Sequence, residues 1–358
     1  MRFRPRIPQS PWTRLAIAVA FLCGVGALLW WHGPHWSDFG DAFTSVVWEW
    51  AAAAVGLNLL SVVARAAAWE TVIRSAMPPP HPRSMLVFSA FSVGLLANAV
   101  LPGRVGELAR VGVLTRKLNG RRKGLWPTLV GSVFAHRVFD LVPVVLLVVW
   151  VLITAKIPGW AFTSLAVVLS IGVALFLFAL ATARHHGHTR LEGMGTVRRV
   201  VTMARLGLGV MRRPGPAALA ILGQCAGWSC QLFAVWAAMR AFHIHEALPS
   251  AGLVLLLMNV ATIVPLWPGN FGLVQAAIAL PLVQYGVDYG RGFAYGVGLQ
   301  AIEASVGVGV GLIFLGREGL SFARLREMPG AVSADEEGAE AESRGTPAHE
   351  PERAGVPG

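Results

Sequence analysis

The sequence predicts an all-α integral membrane protein with six transmembrane helices and two re-entrant Pro-Gly hairpins arranged as an inverted repeat. Three observations predict it. Of 358 residues, 55 % are hydrophobic and 14 % charged, with a mean hydropathy of +0.59, whereas a soluble domain carries about 25 % charge. Six apolar runs reach the roughly 20 residues that cross a hydrocarbon layer. Basic residues concentrate in particular connectors. This balance excludes an ordinary cytosolic enzyme and a disordered chain.

The runs are roughly 14–32, 45–66, 126–154, 160–182, 217–240 and 292–316. Arginines precede the first, as in a signal peptide. It ends Leu28-Leu29-Trp30-Trp31-His32 with no small-residue cleavage site, so it reads as an uncleaved anchor after a cytoplasmic stretch, residues 1–13. Two more apolar stretches, 85–115 and 251–285, are broken by Pro102-Gly103 and Pro268-Gly269. Proline lacks the amide donor and glycine permits turns, so each pair ends a helix.

Charge sets the path. Segments 1–14, 65–84, 104–123, 183–216 and 317–326 contain 4, 3, 7, 7 and 3 Lys or Arg. The connectors near 32–44, 155–160, 240–249 and 286–291 contain only Lys156, Arg240 and Arg291. The positive-inside rule makes the first set cytoplasmic, with both termini inside a cytoplasmic (inner) membrane. Stretch 85–115 then enters and leaves from the cytoplasm, and 251–285 from the outside. Irregular backbone at membrane depth is tolerated where it is buried in protein or lines a cavity.

The hairpins resemble each other. The first reads Asn98-Ala-Val-Leu-Pro102-Gly103-Arg104-Val-Gly106-Glu107, and the second Pro265-Leu-Trp-Pro268-Gly269-Asn270-Phe-Gly272. Both hold Pro-Gly-x-x-Gly between two long apolar runs, giving opposed units at about 45–154 and 217–316 of a membrane domain spanning 14–320. Inverted repeats with broken helices are a recurring transporter plan, with the site near the midplane. The blander alternative is a Pro-Gly loop between short helices. Pro102, Gly103, Gly106, Pro268, Gly269 and Gly272 are the expected turn residues, meeting in one central region.

The stretch at 98–107 resembles the signature of the flippase-like membrane family, whose relatives include the N-terminal membrane regions of lysylphosphatidylglycerol synthases. The Pro-Gly-x-x-Gly at 268–272 matches the family's second signature in place and order, and the resemblance covers roughly residues 12–320. Asn270 and Gln275 stand where that family commonly has Gly and an acidic residue. There is no room for the synthases' C-terminal aminoacyl-transfer domain, so the resemblance implies only the lipid-translocating half and leaves the substrate open.

Ionisable groups at membrane depth are functional candidates, because each costs roughly 2.5–3.5 kcal/mol on insertion scales. The expected substrate-binding set is Asn98, Arg104, Glu107, Arg137, Asp140, Asn270 and Glu303, with no catalytic residue. Arg104 and Glu107 share a helical face, as do Arg137 and Asp140. Each couple reads either as a structural ion pair or as a substrate contact. A guanidinium's planar fork suits phosphate. Arg137 lies 35 residues after Pro102 and Glu303 lies 35 after Pro268. This suggests an inter-repeat partnership or a coincidence of loop lengths. His136 reads as a packed neighbour or a proton relay. Asn58, Gln224 and Gln231 read as interhelical hydrogen bonding, and Gly292, Gly296, Gly307 and Gly311 as close helix packing.

Residues 183–216 form a basic cytoplasmic loop in which 194–213 has amphipathic spacing, suiting a helix on the inner leaflet or a plain connector. The acidic tail, 327–358, lacks aromatics and is expected to be disordered. Cys23, Cys225 and Cys230 fall in apolar runs, offering neither a disulfide framework nor metal-ligand spacing. No cofactor and no metal are expected, and no basic-aromatic face suits nucleic acid. The expected partner is an anionic membrane lipid, and no connector exceeds about 35 residues, which weighs against a loop-borne active site. The leading expectation is a flippase or transporter of an anionic phospholipid or polyprenyl-phosphate-linked lipid. In that scheme Arg104 and Arg137 attract the headgroup while Glu107 and Glu303 balance them in the empty site. Alternatives are a proton-coupled small-solute carrier and an integral-membrane lipid transferase.

Overall fold

A computed structural model describes residues 36–101, 105–118, 125–184, 213–263 and 268–319. Among these the chain is helical throughout, with no strand. A short helix, α1 (Trp36–Thr44), precedes α2 (Trp48–Ala76). Then follow α3 (Ser84–Val100), α4 (Gly106–Lys117), α5 (Leu125–Thr154) and α6 (Gly159–Arg184). The second half holds α7 (Pro214–Ala241), α8 (Leu248–Ala261), a single 3-10 turn (Pro268–Asn270), α9 (Leu273–Val283) and α10 (Tyr289–Arg317). Five helices, α2, α5, α6, α7 and α10, are long and apolar enough to cross a membrane. The chain is a multi-pass membrane protein.

Two expectations change. Stretch 45–66 is part of a helix that runs on to Ala76, so Arg65 belongs to its interior and not to a cytoplasmic connector. The expected connector at 32–44 contains α1, whose Phe39 and Phe43 rings pack on Phe293 and Phe242 at 6.3 and 5.4 Å. The first run (14–32), residues Pro102, Gly103 and Arg104, the amphipathic stretch up to Arg212 and the acidic tail lie outside the described residues.

The breaks expected at Pro-Gly separate α3 from α4 and α8 from α9. Helices α3 and α4 fold against each other so closely that a Cβ added at Gly106 would lie 2.0 Å from the Gly94 carbonyl oxygen. The Asn98 side chain accepts from the Gly106 amide at 2.8 Å, capping one of α4's orphan donors. In the second pair, Gly269 and Gly272 have φ of 69° and 89°, the region glycine enters without steric cost. Gln275 accepts from the Gly272 amide at 2.6 Å and starts α9.

The most extensive helix contact is between α2 and α7. Their backbones approach because Gly227 leaves room for Arg65, where an added Cβ would lie 2.7 Å from its Cγ. Helix α10 serves both broken pairs. Gly292 and Gly296 pack on Ala279 and Gln275 of α9, and Gly311 on Leu96 and Ser92 of α3, whereas Gly307 faces open space. Small residues of this kind let helices meet where lipid gives no hydrophobic drive to associate.

The apolar side chains form two main cores. One joins α7, α8 and α9 with the C-terminal part of α5 and the beginning of α10. The other joins α2, α3 and α4 with the beginning of α5 and the end of α10. Between them the middles of α5 and α10 carry polar residues, and the site lies there.

Candidate functional site

On α5, Arg137 and Asp140 are one turn apart and pair, Nη1 to Oδ2, at 3.0 Å. The other Asp140 oxygen accepts from Trp228 Nε1 of α7 at 3.0 Å. Glu107, in the first turn of α4, forms ion pairs with Arg137 and with Arg110. The Glu107 carboxylate therefore bridges a half-exposed arginine, 52 % accessible at its side chain, and a buried one at 4 %. Breaking such a pair by removing one partner strands the other charge in low dielectric, at a cost of about 3–5 kcal/mol where burial is complete.

A second polar chain links α2, α7 and α10. Arg65 of α2 donates from Nη2 to Gln231 Oε1 of α7 at 2.5 Å. Gln231 Nε2 donates to Glu303 Oε1 of α10 at 3.1 Å. One turn earlier on α10, Gln300 donates to the Gly269 carbonyl at 2.5 Å and accepts from Gln275 at 2.5 Å. The second broken pair is thus tied to α10 by amides where the first is tied to α5 by charges.

These residues line a cavity of about 520 Å³. Its walls include Asn58, Arg65, Asn98, Arg110, Arg137, Asp140, Asn270 and Glu303. Five of the seven expected site residues therefore line one space (Asn98, Arg137, Asp140, Asn270 and Glu303), and Glu107 reaches its rim through Arg137. Arg104 lies outside the described residues. Asn98 and Asn270 also have local tasks, the first capping α4 and the second donating to the Ala261 carbonyl at 2.9 Å. Gly269 joins the lining, while Gly106 and Gly272 shape the breaks.

The Arg137–Glu303 partnership is not present. Arg137 pairs with Glu107 and Asp140, and Glu303 accepts from Gln231. The same register nevertheless relates other residues. The separation of Pro102 and Pro268 equals the 166 residues between Arg65 and Gln231, which bond directly where α2 and α7 cross. His136 is 2 % exposed, packs edge-on against Phe91 at 6.0 Å, and meets the Gln224 amide.

Arg65 and Arg110 are the residues that sequence reasoning missed. Both were counted among cytoplasmic basic residues, and both are inside. The available signal was spacing: Arg65 and Trp69 share a helical face, and Arg110 sits amid Ala109, Val111 and Val113. Among the described residues no cluster of three or more His, Cys, Asp or Glu is placed to hold a metal ion.

Long apolar helices, two broken helix pairs and a charged cavity between two apolar cores define a polytopic helical membrane protein built around an internal polar site. The chain belongs to the family described as the lysylphosphatidylglycerol synthase TM region, whose model matches residues 13–311. No curated protein and no solved structure matches the chain.

Proposed function

We propose that the protein is a flippase or transporter that moves an anionic phospholipid or polyprenyl-phosphate-linked lipid across the cytoplasmic membrane. The observation that carries this reading is the cavity of about 520 Å³, in which three arginines and two carboxylates meet beside both broken helix pairs, with Glu107 paired to two of those arginines. Arginine forks suit phosphate oxygens. The carboxylates balance them when no headgroup is present, so no guanidinium is left alone in low dielectric. Membership of a lipid-linked family supports the same reading, as does the absence of any connector long enough for a separate catalytic domain among the described residues.

The architecture proposed with it has six spans, the first formed by residues 14–32, and cytoplasmic termini. The pairs α3–α4 and α8–α9 are re-entrant from opposite faces, making α2–α5 and α7–α10 inverted repeats. The direct Arg65–Gln231 bond at the repeat offset supports that relation. The lipid's tails stay in the bilayer while its headgroup passes through the cavity, so no tail-sized space is needed.

The test is translocation of fluorescent phosphatidylglycerol, against phosphatidylcholine, in vesicles containing the purified full chain. Phosphatidylglycerol is expected to cross faster. Arg137→Lys should slow it, keeping charge without the fork that engages Glu107 and Asp140 together, and Arg137→Gln should nearly abolish it with the protein still inserted. Equal rates for both lipids, unaffected by Arg137→Gln, would contradict the reading.

A further inference from the structure

Resting on the reading that an anionic headgroup enters this cavity, we propose that its phosphoryl oxygens are gripped by Arg65 and Arg110, held as two guanidinium–indole stacks, rather than by Arg137. The Arg65 guanidinium lies 4.9 Å above the Trp228 ring, and that of Arg110 lies 4.6 Å above Trp69. Each indole is pinned to α5 by its own N–H. Trp228 Nε1 donates to Asp140 at 3.0 Å, and Trp69 Nε1 donates to Ser132 Oγ at 3.1 Å. Helix α5 thereby fixes the two indoles over which the arginines lie.

A stacked guanidinium has its flat face occupied and its N–H groups directed outward in the ring plane, the edge that matches an oxyanion. One donor of each guanidinium is left unsatisfied. Nε of Arg65 and Nε of Arg110 are buried with no hydrogen-bond acceptor, and Nη2 of Arg110 is held only by the exchangeable Glu107 carboxylate. Buried charged donors normally have partners, so their state points to a ligand. Both side chains line the cavity. Trp69 is one helical turn beyond Arg65 on α2, so its stack brings Arg110 to the same stretch of wall.

Arg137 is differently placed. Both of its Nη atoms are already engaged, by Asp140 and by Glu107. An oxyanion there would have to break those pairs. Glu107 supplies the exchange instead. It pairs with Arg110 and Arg137 together, so a phosphoryl group that displaces it from Arg110 leaves it on Arg137. Arg137 is thus the residue that holds the displaced carboxylate, a positioning role that accounts for its expected importance to transport without direct contact.

Isothermal calorimetry of dihexanoyl phosphatidate binding to the detergent-solubilised full chain tests the clamp. Arg65→Gln and Arg110→Gln are each expected to weaken binding by about tenfold or more, as loss of a charge-assisted pair implies. Arg65→Lys and Arg110→Lys, which keep charge and guard against a folding defect, should fall between. Arg137→Gln should weaken binding by less than either Gln variant of the clamp, because it removes only the partner of the displaced Glu107. Competition by inorganic phosphate would identify a free anion as the natural source, and its failure to compete would identify the lipid headgroup; both outcomes retain the clamp. Folded Arg65→Gln and Arg110→Gln proteins binding like the parent, or loss of binding only in Arg137→Gln, would overturn it. If binding follows the clamp but vesicles show no lipid translocation, the transport reading fails and the clamp stands. If the parent translocates lipid while the two Gln variants bind normally, the clamp alone fails.

Discussion

Gly106 shows how much a single residue decides here. Its missing side chain lets α4 lie against α3, and an added Cβ would meet the Gly94 oxygen at 2.0 Å and Asn98 at 2.6 Å. Gly106→Ala is therefore expected to destabilise by about 1–3 kcal/mol, the usual cost of overpacking. The check is a lowered Tm of the purified protein in detergent. Gly307→Ala is the control, because nothing lies within 4 Å of its added Cβ, and its Tm should shift by no more than about 0.5 kcal/mol would produce. The signature Asn-x-x-Leu-Pro-Gly-Arg-x-Gly-Glu made Asn98, Gly106 and Glu107 legible in the sequence. What it hid was their division of labour: Asn98 and Gly106 build the break, whereas Glu107 reaches out to Arg110 and Arg137. Arg65 and Arg110 escaped because basic residues near a span's apparent end look like interfacial anchors. Each lies over an indole of another helix, Trp228 of α7 for Arg65 and Trp69 of α2 for Arg110, which shows that both are inside.

At the scale of elements, hydropathy located the long helices well. Runs 126–154, 160–182, 217–240 and 292–316 correspond to α5, α6, α7 and α10 within a few residues. It ended the second run about ten residues early, because Arg65 and Glu70 lower local hydropathy although the helix continues to Ala76. The end of α10 is fastened by a contact no pattern announced. Glu318, just beyond it, pairs with Lys117 at the end of α4 at 2.8 Å and accepts from Ser89 of α3 at 2.8 Å. Burial opposes its charge. Hydrogen bonds from Lys117 and Ser89, with the positive charges of Lys117 and Arg317, nevertheless hold its carboxyl below the ordinary glutamate value of 4.5. A depressed carboxyl stabilises the fold above the unfolded-state value and loses that contribution as pH falls through the folded-state value. The parent should therefore melt above Glu318→Gln at pH 7, and the gap should close as pH drops below 4.5. A gap that is constant from pH 7 to pH 3, measured by thermal unfolding, would remove this latch from the account.

For the whole molecule, two apolar cores meet along a polar seam, and α10 reaches both broken pairs across it. Order along the chain made the repeated long–short–short–long pattern readable, whereas the bond between Arg65 and Gln231 at the same 166-residue offset went unread. The offset did not predict that Arg137 and Glu303 would take separate partners, because pairing depends on which rotamer reaches which helix and not on register alone. The proposed topology predicts that single cysteines next to Arg83 and Lys117 react with a membrane-impermeant thiol reagent from the same face. Labelling from opposite faces would undo the re-entrant reading. The central claim is that the headgroup crosses through the cavity between the two cores. Gly307 lines that cavity with open space before it, so Gly307→Trp should fill the route while leaving helix packing in place. The decisive measurement is phosphatidylglycerol translocation in vesicles containing this variant, with its insertion and melting temperature verified. The account predicts that translocation falls to the protein-free background; translocation at the parental rate would contradict it.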